Sequence, residues 1–243
     1  MATTGISSPV STNTNRTSLW SNMIFQKVLM AASGAVLVLF VVGHMAGNLQ
    51  VFLGQDKLNT YAETLKQLGP LVWVVRTVLA LLAIIHIVTA VQLYIYNKKA
   101  RPVGYEFNNT ATATVASRTM IWSGLAIGFF VGYHLAHYTL LTIHPEWSEL
   151  RDMEGRPDVY SMVIYGFRNY FVSGLYIVAM FLLANHLSHG ISSMFQTLGF
   201  AGPRFTHRAK LIGSVIAWIL FAGYISIPIA ILTGMIGLSS EGM

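Results

Sequence analysis

From Asn169 to Pro203 the chain contains no aspartate, glutamate, lysine or arginine. At about 1.5 Å per residue, a helix over that stretch outspans a hydrocarbon core about 30 Å thick. A membrane-crossing helix is therefore what such a stretch dictates. In its middle lies Phe181-Leu182-Leu183-Ala184-Asn185-His186-Leu187-Ser188-His189-Gly190, which sets His186 at lipid depth. Ionisable side chains are costly there and mark functional sites. Three other apolar runs carry a histidine as well.

The rest of the composition agrees with a membrane protein. Hydrophobic residues make up 54% of the chain and charged residues 10%, against about 25% charged in a soluble domain. The 243 residues suffice for five or six spans with short loops. There is no cysteine, so disulfides, thiolate-held iron–sulfur clusters, Cys-ligated zinc and covalent c-type haem attachment are excluded within the chain. The net charge of +6 suits anionic lipid or an acidic partner, and its dispersal along the chain argues against nucleic acid.

Residues 1–21 are rich in Ser, Thr and Asn, with Arg16 their one charge, and lack the apolar core of a signal peptide. They read as a polar cytoplasmic tail ahead of one transmembrane domain, 22–243. Spans are expected at about 23–53, 71–97, 119–143, 161–195 and 211–238. Residues 54–69 carry Asp56, Lys57, Glu63 and Lys66 and read as a short interfacial helix, and Gly69-Pro70 as the start of span 2. In span 3, Gly124, Gly128 and Gly132 repeat every four residues and permit close approach of a helix or a flat ligand. Residues 144–160 form an acidic loop, and 196–210 a basic connection.

Lysine and arginine bias sets the orientation. With the N-terminus in the cytoplasm, nine basic residues lie inside, among them Lys27, Lys98, Lys99, Arg118, Arg204, Arg208 and Lys210, with Glu106 the one inner acid. Six basic residues and the other eight acids lie outside. The expected topology is N-terminus in, C-terminus out.

That topology sorts the histidines by depth. His44 rises about 26 Å above Lys27 and His134 about 24 Å above Arg118, so both belong to the outer half. His86 stands about 18 Å from Lys98 and His186 about 15 Å from Gln196, on chains running inward, so both belong to the inner half. Each layer then has two imidazoles on different helices, the arrangement a bis-histidine b-type haem needs in a bundle core. Two such haems at different depths would carry electrons across much of the bilayer. With both axial positions filled, neither iron would bind oxygen or substrate. The alternative for any one membrane histidine is a hydrogen bond between helices. It explains four at matched depths less well.

His137 and His189 follow His134 and His186 by three residues and share roughly a face with them. Either could bond a propionate, a quinone or a neighbouring helix. A zinc site from the His-x-x-His pairs lacks a carboxylate at that depth. Arg76, Arg118 and Arg168 near span ends could pair with haem propionates or anchor at the interface. His144 and His207 fall in loops.

Several motifs, in order, resemble a known family. They are Gly43-His44-Met45-Ala46-Gly47-Asn48-Leu49, then Leu81-Leu82-Ala83-Ile84-Ile85-His86-Ile87, then Ser117-Arg118-Thr119-Met120 leading to Tyr133-His134-Leu135-Ala136-His137, and finally Asn185-His186-Leu187-Ser188-His189-Gly190. Over about residues 22–238 the chain resembles the membrane-anchor cytochrome b subunit of succinate dehydrogenase/fumarate reductase, the single-subunit, five-helix, di-haem bacterial type. The resemblance implies an all-α five-helix transmembrane bundle binding two haem b. It makes His44 and His134 the outer iron's ligands, and His86 and His186 the inner iron's.

It further implies a non-catalytic electron-transfer subunit of the respiratory complex of the tricarboxylic acid cycle. A flavoprotein partner oxidises succinate, and an iron–sulfur partner docks on the basic inner loops. The anchor passes electrons to a membrane quinone, menaquinone in most of this subtype. The location is the bacterial cytoplasmic membrane, with higher association of the whole complex possible. A quinone site needs proton donors, for which Glu63, His137, Ser33 and Ser123 are the candidates. Two alternatives stand beside this: the cytochrome b anchor of another oxidoreductase, such as a hydrogenase or formate dehydrogenase, and a transporter with a histidine relay.

Overall fold

A computed structural model describes residues 22–100, 115–200 and 202–238. The polar tail 1–21 and most of the loop carrying Arg101 and Glu106 lie outside the described residues. What is described is helical, with five helices long and apolar enough to cross a membrane.

Local chemistry sets the helix ends. In α1 (Met23–Asn48) the Asn22 side chain accepts from the Ile24 and Phe25 amides, a helix cap. A 3₁₀ turn, Leu49–Leu53, follows and stops at Gly54, whose φ of 94° favours glycine. The short α2 (Gln55–Gln67) leads to α3 (Pro70–Lys99), with proline in its first turn. Next, α4 (Val115–His134) widens into a π turn over Leu135–Thr139. The remaining helices are α5 (Val159–Arg168), α6 (Tyr170–Thr197) and α7 (Pro203–Leu232).

Three boundaries differ from the sequence expectation. The span expected over 161–195 is two helices, because Asn169 adopts an extended backbone and its side chain caps the amides of Phe171 and Val172. Asp158 caps the short α5 in the same way through Ser161. The fifth span begins at Pro203 rather than 211 and ends at Leu232 rather than 238. Arg204, Arg208 and Lys210 do not interrupt it, since charge alone does not break a helix, and Gly234 with φ of 74° terminates it. The third span stops regular winding at His134 instead of running to Ile143.

Helices α1, α3, α4 and α6 close a ring, each packed on the next, and α7 lies outside against α6 and α1. One end of the ring carries the starts of α1, α4 and α7. We call it the open end. The other is capped by α2, the 140–158 loop and α5. Buried apolar side chains gather in two clusters. One gathers Val51, Leu58, Tyr160, Ile164, Phe167, Tyr176, Ile227 and Ile231 at the capped end. The second is the α6–α7 seam of Ala184, Leu187, Ile191, Ala217 and Leu220, where Gly213 comes close to Ile191 and the Ser188 carbonyl. On α1, α3 and α4 the buried side chains include the small polar Ser33, Thr89 and Ser123.

A polar clamp holds the cap. Asn59, fully buried, donates to Asp152 (3.1 Å) and Asp158 (3.0 Å) and accepts the Tyr160 amide. Gln55 and Ser161 also donate to Asp158, and Arg156 to Asp152 and Asp56. Burial opposes ionisation of both Asp152 and Asp158. Hydrogen bonds from Arg156 and Asn59 to the first, and from Ser161, Asn59 and Gln55 to the second, still leave both carboxyls below the ordinary aspartate range.

Candidate functional site

Four histidines on the four ring helices meet in two pairs. His44, one turn before the end of α1, lies 5.8 Å from His134, the last residue of α4, ring centroid to ring centroid at 82°. His86 of α3 lies 6.3 Å from His186 of α6, at 68°. The pairs occupy different levels. His86 touches α1 at Gly34, and His186 touches α4 at Gly124, each ten residues before the histidine of the other pair on that helix. Helical rise makes that about 15 Å between levels.

The open-end pair is held by a repeated device. His86 Nδ1 lies 3.1 Å from the Met30 carbonyl and 3.4 Å from Ser33 Oγ. His186 Nδ1 lies 3.3 Å from Ser123 Oγ. Each serine also donates to the carbonyl three residues back, Ser33 to Met30 and Ser123 to Met120, both at 3.1 Å. Next to each serine is a glycine on which a Cβ would crowd the imidazole: 3.1 Å to His86 Cε1 from Gly34 and 3.2 Å to His186 Cε1 from Gly124. Both rings thus have Nδ1 engaged, which leaves Nε2 as the nitrogen free to bind.

Sequence reasoning named Ser33 and Ser123 for a quinone and Gly124 for close approach of a helix or a flat ligand, and overlooked Gly34. The signal was there: Met-x-x-Ser-Gly stands at 30–34 and again at 120–124.

The capped-end pair is held by aromatics. His44 stacks on Phe40 at 5.3 Å, with Tyr224 at 6.3 Å. Tyr224 in turn donates to the Val41 carbonyl at 2.8 Å, tying α7 to α1 beside the pair. His134 stacks on Phe130 and has Tyr176 Oη 3.3 Å from its Nδ1. Tyr176 was also missed, since nothing in its neighbourhood sets it apart from other aromatic residues of an apolar helix.

The remaining candidates divide. His137 is fully buried in the π turn, with its Nδ1 3.0 Å from the same Tyr176 Oη. His189 is half-buried on α6, where Lys210 of α7 is the charged group near it. Arg76 lies over the Trp73 ring at 5.1 Å, and Arg118 and Arg168 are exposed at helix ends. None of the three arginines hydrogen-bonds to a histidine among the described residues. Glu63 accepts from Gln67 one turn on along α2. His144 stacks on Trp147 and bonds Glu146, and His207 is exposed.

Chemically, each pair offers two imidazole nitrogens from opposite helices. A metal–imidazole bond of about 2 Å holds two ring centroids on one metal about 6 Å apart, the spacing of both pairs. No group of three His, Cys, Asp or Glu side chains that could hold a metal ion is found among the described residues. Comparisons with family models, with curated proteins and with solved structures found no match.

Proposed function

We propose that this chain is the membrane-anchor cytochrome b subunit of a succinate:quinone oxidoreductase, with two haem b held in the ring by His44/His134 and His86/His186. The observation that carries the reading is the two-level pairing of imidazoles from four separate helices. Three features support a flat tetrapyrrole in particular. Centroid spacings suit one metal per pair, Nδ1 of His86, His134 and His186 has a neighbouring oxygen, and Gly34 and Gly124 keep Cβ atoms off the imidazole faces. Ser33 and Ser123, buried small polar residues beside the imidazoles, fit as well.

When bound, each haem supplies a reversible one-electron carrier. His44 with His134, and His86 with His186, would hold the two groups, and the helices keep the two levels about 15 Å apart. Ser33 and Ser123, with the carbonyls beside them, orient the open-end imidazoles. At the open end Lys27, Lys98, Lys99, Arg204, Arg208 and Lys210 make a basic rim suited to an acidic docking partner, the iron–sulfur subunit in this reading, which itself receives electrons from a flavoprotein. That end faces the cytoplasm, and the capped end lies toward the quinone, menaquinone in this subtype. The membrane is the bacterial cytoplasmic membrane.

The test is a reduced-minus-oxidised spectrum with a pyridine haemochrome count on the purified membrane complex. Two haem b per chain, reducible by succinate, support the proposal. A colourless complex refutes it, and two haems that succinate leaves oxidised point to a different donor.

A further inference from the structure

We infer that Tyr176 and His137 are positioning residues that fix the tautomer and the ligand strength of His134, an inference that rests on the haem reading above. Tyr176 Oη sits between two imidazoles, 3.3 Å from His134 Nδ1 and 3.0 Å from His137 Nδ1. A phenol has one proton to give. If the lone pair of His134 Nε2 faces the metal, Nδ1 carries the ring proton and donates it to the Tyr176 oxygen. The phenolic proton then goes to His137 Nδ1, which must accept. His137 accordingly carries its own proton on Nε2.

The far end of that chain is closed. His137 is fully buried among Tyr133, Tyr138, His144 and Trp147, and its Nε2 has no hydrogen-bond partner among the described residues. Nothing there competes for Nδ1, so the phenol has one direction in which to donate. Donating to His137 makes the Tyr176 oxygen a better acceptor for His134, because hydrogen bonds in a chain polarise one another. A buried histidine that binds no metal thereby strengthens one that does. The open-end pair is built on another plan, with a main-chain carbonyl and serine hydroxyls in place of a phenol.

Tyr176→Phe separates the roles, since the ring keeps its edge contacts with Phe130 and Phe167, both at 4.9 Å. The experiment is a spectroelectrochemical titration of the membrane complex, with low-spin ferric resonance recorded for each haem. Loss of the acceptor makes His134 a less basic ligand, which favours the ferrous state. The capped-end haem is expected to be several-fold more reduced at its wild-type midpoint, with a changed ferric signal, while the open-end haem stays unaltered. His137→Leu is expected to shift the same haem in the same direction by less, and His137→Asn, whose amide restores an acceptor near Nδ1, to return it.

Two haems with unchanged potentials in Tyr176→Phe overturn the inference and leave the haem reading intact. Should that variant not assemble, equal potentials in His137→Leu and His137→Asn overturn it instead. A wild type without two haems removes the reading and the inference together.

Discussion

His86 and His186 face each other at 6.3 Å across the ring, and each is steadied from a helix other than its own and its partner's, His86 from α1 and His186 from α4. A single imidazole pair therefore draws on all four ring helices.

Replacing one ring of that pair should empty one level and spare the other. His186→Ala is expected to lower the haemochrome count from two per chain to one while the His44/His134 level keeps its spectrum. Loss of both, or of neither, would contradict two independent levels.

The glycines beside the open-end pair should be intolerant of a methyl group. Gly34→Ala puts a Cβ 3.1 Å from His86 Cε1, and Gly124→Ala one 3.2 Å from His186 Cε1. Overpacking of this kind costs about 1–3 kcal/mol. On the di-haem proposal, reduced haem occupancy at the open end is expected in both variants. Gly174→Ala, where nothing lies within 4 Å, is the control and should leave occupancy unchanged.

Acid should loosen the cap. Asp152 and Asp158 have folded-state pKa values below the unfolded value of about 3.9. Their stabilisation is therefore complete above that value and fades as pH falls through the lower folded values. Thermal stability of the solubilised complex should hold as pH falls from about 6 to about 4 and decline reversibly below. Asp158→Ala, which strands the donors of Asn59, Gln55 and Ser161, should cost about 2–4 kcal/mol at neutral pH and remove part of that transition.

Asn169 separates α5 from α6 by capping two amides. Asn169→Ala should lower the thermal stability of the detergent-solubilised complex by about 1 kcal/mol, and Asn169→Asp should recover most of it. Equal melting of all three would mean that the break is held by packing alone.

Much of this architecture was legible in the chain. Five apolar runs and their loops follow from hydropathy, because only helices satisfy their own backbone in lipid. Which histidine faces which followed from counting residues inward from charged ends, since rise per residue is nearly constant in a helix. The break at Asn169 was not legible by that route. Its neighbours are apolar on both sides, and a hydropathy window sees continuity where a single side chain turns the backbone. The start of α7 was misplaced for the opposite reason: Arg204, Arg208 and Lys210 look like a loop by charge, but a helix may leave the membrane and keep its winding. Tyr176 and the serine–glycine cradles depend on which faces of two distant helices meet, and residue spacing within one helix is silent about that.

The tight seam between α6 and α7 has a consequence for how the molecule is made. Its close contacts, Ala184, Leu187 and Ile191 on Ala217 and Leu220, belong to two long helices that are synthesised after the other three. A ribosome delivers α1, α3 and α4 first. Those three carry three of the four paired histidines, and α1 already packs on α3. The ring is expected to close only when α6 brings His186 and joins α4 to α1, with α7 clasped on its outer side.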